Sequence, residues 1–146
     1  MTTQPLYEKD LYIWFLDQSK HLHNKEFDKI DFINLAEEVE SMGRYQRQEL
    51  KNRLAVLFCH LLKAKYQPEY MGNSWEQTIR EQRIQIDTLL EVSPSLLYFI
   101  NDISLLAYEK GVKDAEKETG KILPSEAKYL NGVITLKDAL ESGWMP

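Results

Sequence analysis

The sequence predicts an all-α fold, a single-domain helical bundle of about five main helices with a short C-terminal helix, spanning residues 1–146. Three observations carry that expectation. Apolar residues recur at offsets of three and four through most of the chain, most plainly as Leu50, Leu54, Leu57 and Leu61. No segment sustains the apolar and polar alternation of a strand. Pro68, Gly72, Pro94 and Gly120 fall between periodic segments rather than inside them.

The first helix is expected from Glu8 to about Leu22, with Leu11, Trp14, Phe15 and Leu22 on one face and Asp17 and Lys20 on the other. Asp31 then reads as the N-cap of a second helix. Its stripe is Phe32, Leu35, Val39 and Met42, and Gly43 offers the left-handed position that ends it. Arg44 to Tyr66 carries the leucine ladder, with Ala55, Val56, Phe58 and Leu62 extending the apolar surface around the cylinder, so this third helix should sit centrally. Pro68 and Gly72 break it. Ser74 and Gln77 are spaced as a capping box for a fourth helix that runs to about Leu90. Ser93 as cap and Pro94 at the first helical position open a fifth, extending towards Thr119 and Gly120. "ILPSEAKYLNGVI" reads as a loop laid on the surface, and Thr135 introduces a short helix over "LKDAL".

Composition narrows the function classes. With 146 residues, 43% hydrophobic and 28% charged, the chain is long enough for one substantial core. A formal charge of −5 argues against a surface built wholly for nucleic acid or anionic lipid, which reward a positive field. The single cysteine, Cys59, rules out an intramolecular disulfide and a multi-cysteine zinc site and suits the cytoplasm. Cys59 itself, deep in an apolar helix, reads as core. No basic stretch leads into an apolar run at the N-terminus and nowhere do 18 residues stay apolar, so neither a secretion signal nor a membrane span is expected. Gly-rich phosphate loops and G-x-S-x-G elbows are missing, and no cofactor is expected.

The polar residues inside the apolar stripes are the candidate site. At 100° per residue, Trp75, Ile79, Ile86 and Leu90 share an arc that Gln82 and Arg83 flank closely, so Arg83 should be partly buried. Gln46, Arg53 and His60 are spaced by seven along one edge of the leucine ladder. Glu38 is the carboxylate best placed to face inward from the second helix. A buried arginine needs an anion or several acceptors. The expectation is a cluster of Glu38, Arg53, His60, Gln82 and Arg83, in which a glutamate to arginine pair fixes helix register or, alternatively, the excess of cations receives an anionic ligand beside His60. A metal alternative rests on Glu37 and Glu40, an E-x-x-E pair on one helix face, although helical-bundle pyrophosphatases need a second acidic pair opposite and only scattered acids stand there. His21 and His23 point about 160° apart on a helix and make no metal pair. Arg44, Arg47 and Lys51 form one cationic stripe that suits phosphates but lacks an interleaved aromatic platform.

The order of motifs adds a resemblance. Asp10 with Trp14, Leu35 to Glu40 with Met42 and Gly43, His60 to Lys63, Gln67 with Pro68, Ser74 to Arg83, and Pro94 to Leu96 match the typical pattern D-x-x-x-W, L-A-E-E-I-E-x-M-G, H-L-L-K, Q-P, S-W-x-x-T-I-x-x-Q-R and P-S-L. In this the chain resembles, over nearly its whole length, the bacterial family known as domain of unknown function 29, abundant in cyanobacteria. The resemblance implies a helical fold and no established activity. The family often carries C-P-Y near the C-terminus, where this chain has Ala127, Lys128 and Tyr129, so any chemistry of that cysteine would be absent here.

Three function classes follow. The leading one is a non-enzymatic cytoplasmic bundle acting through protein contact, with a protein partner or a second copy of itself. The second is a metal-dependent phosphoanhydride or phosphodiester hydrolase using Glu37, Glu38 or Glu40 with His60 and Arg83. The third is a nucleic-acid-binding regulator or toxin–antitoxin component working through Arg44, Arg47 and Lys51.

Overall fold

A computed structural model describes residues 4–146. Among the described residues the regular structure is helical: α1 (Leu6–Lys9), α2 (Leu11–His23), α3 (Phe32–Tyr66), α4 (Asn73–Val92), α5 (Ile100–Thr119) and α6 (Leu136–Leu140), joined in part by single 3₁₀ turns. The chain divides into two compact units, Met1–Tyr45 and Gln46–Pro146.

In the first unit the single helix expected from Glu8 is two. Asp10 takes an extended conformation between α1 and α2, and its carboxylate accepts from the Ile13 N–H at 3.1 Å, capping α2. Trp14 is buried, stands edge-on to Tyr7 at 4.8 Å between ring centres, and donates its indole N–H to Asp31 at 3.3 Å. Asp31 opens α3 as expected, accepting from the Asn34 backbone and side chain, while its own N–H donates to the Gln18 side chain. Those bonds, from Asn34 foremost, hold the Asp31 carboxyl below the usual carboxylate range.

The helix that Asp31 opens does not end at Gly43. It continues without interruption to Tyr66, because one glycine costs only about 1 kcal/mol in a helix and its neighbours Met42, Arg44, Gln46 and Arg47 are strong helix formers. The stripe assigned to its first half is also revised: Phe32, Val39 and Met42 are exposed.

The second unit holds the continuous core. Leu50, Leu54, Leu57, Phe58, Leu61 and Leu62 of α3 are fully buried, and α4 adds Ile79 and Ile86. On α5 Gly111 sits so near α3 that a Cβ there would lie 2.9 Å from that of Phe58 and 3.0 Å from the Ala55 carbonyl oxygen. This close approach lets Tyr108 stack edge-on against Phe58 at 5.1 Å and donate its hydroxyl to the Ala127 carbonyl at 2.6 Å. Gly120 ends α5 at φ 70°, the left-handed position that glycine favours. Thr135 caps α6, accepting from the Asp138 N–H at 3.1 Å.

Three local expectations change. The capping box at Ser74 and Gln77 does not form, since α4 starts one residue before Ser74 and the Gly72 carbonyl takes the first amides, of Trp75 and Glu76. Ser93 donates its hydroxyl to Gln46 instead of capping, and Pro94–Tyr98 is a 3₁₀ turn that precedes α5. The segment after α5 is no surface loop: Leu123, Ala127 and Ile134 are buried in the core.

Candidate functional site

Arg83 lies on the inward face of α4 between Ile79 and Ile86 and is only 6% exposed. Its Nε donates to the Ala139 carbonyl at 2.8 Å and its Nη2 to the Trp144 carbonyl at 2.7 Å. The guanidinium therefore clamps the C-terminal segment to α4. Burial lowers its pKa from the usual arginine range, and Glu141 opposes that from a distance. Alongside it opens a cleft of about 490 Å³ whose walls include Glu76, Arg80, Ile84, Asp87, Leu140 and Met145.

The five residues expected to cluster are held by different partners. Glu38 accepts from the Tyr7 hydroxyl at 2.6 Å within the first unit. In the second unit Arg53 reaches Gln82 at 3.5 Å and pairs with Glu49 at 3.4 Å, one helical turn earlier. His60 donates Nδ1–H to the Val56 carbonyl at 3.0 Å, and burial lowers its pKa. Arg83 uses backbone carbonyls where a carboxylate was anticipated, and among the described residues none of the ion pairs includes it. Arg53 with Gln82 is the contact that the expected cluster and the structure share.

A second polar group escaped the sequence reading. Lys63, nearly buried, donates to Glu118 at 2.6 Å and stands 4.7 Å from the centre of the Trp75 ring, while the Cys59 thiol lies 3.6 Å from the same carboxylate. Burial and Glu118 push that thiol up to about 12, so it stays protonated and inert at neutral pH. The Lys63 hydrogen bond holds Glu118 below its ordinary value. Lys63 was legible as a cation on the face of α3 that carries Ala55 and Cys59, one turn after the cysteine. Its partner, 55 residues away, was not.

Among the described residues no three His, Cys, Asp or Glu side chains stand close enough to hold a metal ion. Glu40, of the Glu37 and Glu40 pair, faces Arg44 at 3.8 Å. In the cationic stripe Arg44 also donates to Ser41, Arg47 stacks 4.6 Å above the Phe99 ring, and Lys51 is half-buried. No described helix is long and apolar enough to cross a membrane.

Several of these contacts sit at the motif positions: Asp10 caps α2, Trp14 reaches Asp31 at the start of α3, Lys63 meets Trp75, and Arg83 clamps the C-terminal segment. The family model for domain of unknown function DUF29 matches residues 6–145. The chain belongs to the DUF29 family. No curated protein and no solved structure matches it. In this DUF29 chain Trp14, Lys63, Trp75 and Arg83 of the family pattern thus join one element to another.

Proposed function

We propose that this DUF29 protein is a non-enzymatic, cytoplasmic bundle that works through protein contact, docking a second copy of itself on the apolar surface of residues 4–45. The observation that carries this reading is the inverted burial of that unit. Among its described residues Trp14, Gln18 and Ile30 are buried side chains, while Tyr12, Phe27, Phe32 and Tyr45 are 60–70% exposed, and Ile33, Val39 and Met42 are exposed as well. At 150–250 Å² per aromatic side chain, those four alone offer about 400–650 Å². The aliphatic neighbours bring the surface to the scale of one partner's share in a standard interface, about 800 Å².

A unit this small cannot seal a core and usually leans on a disulfide, a metal or another chain. Its 45 residues hold no cysteine, which removes the first. A second copy supplies matching surface in equal amount and closes a two-fold contact. The lone, buried thiol of Cys59 supports a cytoplasmic setting.

Sedimentation equilibrium tests the reading. The wild-type chain is expected at twice its 17.2 kDa mass, and Ile33→Asp with Val39→Asp, both at exposed positions, at the single mass. A wild-type chain that stays monomeric at high micromolar concentration would overturn it.

A further inference from the structure

We infer that the cleft beside Arg83 is a binding site for a small monocarboxylate with an apolar body. The inference stands on the second unit alone and does not depend on self-association.

The buried guanidinium spends two of its three nitrogens on backbone carbonyls, which carry no net charge. Among the described residues its third, Nη1, has no hydrogen-bond acceptor, and Arg83 itself lines the cleft. Among the described residues the cation is thereby oriented, largely dehydrated and in no salt bridge, a condition in which a ligand carboxylate gains from one charge-assisted hydrogen bond. Arg80 lines the same cleft and supplies a second cation.

The remaining walls select among anions. Ile79, Ile84, Leu140 and Met145 provide an apolar surface, and the volume lies in the range of small-molecule sites. Glu76 and Asp87 line it as well. Two acidic residues along the cleft oppose a dianion such as a phosphate monoester more strongly than a monoanion, and the apolar walls favour a hydrocarbon body over a bare ion.

Titration of the full chain by calorimetry and amide NMR with hexanoate, acetate and inorganic phosphate tests this. Hexanoate is expected to saturate one site at least tenfold more tightly than acetate or phosphate, shifting the amides of Ile84, Leu140 and Met145. Arg83→Lys is expected to abolish that preference, but it also removes the clamp on the C-terminus. Ile84→Glu, at a half-exposed wall position, keeps the clamp and is expected to weaken hexanoate at least tenfold with an unchanged unfolding midpoint. Equal binding of hexanoate and acetate, tighter binding of phosphate, or unaltered hexanoate affinity in Ile84→Glu would each overturn the assignment.

Discussion

The two halves of α3 obey one periodicity and meet opposite fates. Phe32, Val39 and Met42 are spaced as regularly as Leu50, Leu54, Leu57 and Leu61, yet the first set is exposed and the second fully buried. What differs is the company. The first unit is fastened by polar groups converging on Asp31 and by Tyr7 on Glu38, whereas in the second unit α4, α5 and the C-terminal segment close over the leucines. Helical spacing identifies residues that share a face and leaves open whether anything covers it.

The largest test of that contrast compares two truncations on this one helix. Phe58→Ala is expected to lower the stability of the second unit by about 3–5 kcal/mol, since it opens a cavity against Tyr108. Val39→Ala, at an exposed position, is expected to stay within about 0.5 kcal/mol in the monomer. Urea unfolding followed by amide exchange, helix by helix, separates them. Equal losses would mean that the apolar face of the first unit is already covered within the single chain.

Two glycines sharpen the contrast with opposite signs. Gly111→Ala forces a methyl against Phe58 and the Ala55 carbonyl, and is expected to cost about 1–3 kcal/mol. Gly43 has nothing within 4 Å of its would-be Cβ and lies inside α3, so Gly43→Ala is expected to stabilise the helix by about 0.5–1 kcal/mol. A destabilised Gly43→Ala would show that α3 bends or opens there. Thermal midpoints of the two variants beside the wild type decide it.

How much of this was legible follows from the range of the interactions. The leucine ladder, Gly120 as left-handed stop, Asp31 and Thr135 as caps and the short terminal helix all rest on neighbours within a turn or two. Gly43 misled because a breaker was weighed without the helix formers on both sides. Ser74 misled because the glycine just ahead of α4 could start it without a side-chain cap. The burial of Arg83 was visible as an arginine on an apolar arc, but its acceptors were not, since every residue has a carbonyl and no pattern marks Ala139 and Trp144 as the two that arrive. Glu49, four residues before Arg53, was the i,i+4 partner in plain view and was passed over for a distant carboxylate.

The smallest expected effect distinguishes the units by pH. Burial lowers the pKa of His60 in the second unit from about 6.5, so the unfolded chain binds the proton more readily than the folded one. Stability then falls as pH drops from about 6.5 towards the folded pKa, and levels off below it. Asp31 in the first unit has the opposite chemistry and a lower window: its carboxyl is depressed by Asn34, so its contribution is complete above the ordinary carboxylate range and is lost only as pH falls through the depressed value. In the interval below about pH 6.5 and above the ordinary carboxylate range, the second unit is therefore expected to soften while the bonds around Asp31 hold, which amide exchange in α5 and α2 reads separately. His60→Gln retains a donor for the Val56 carbonyl and removes the titration, so its exchange in α5 should be flat across that interval. A wild-type α5 that is equally flat would mean that the imidazole takes its proton as easily folded as unfolded, and the physical difference between the two units would then lie in packing alone.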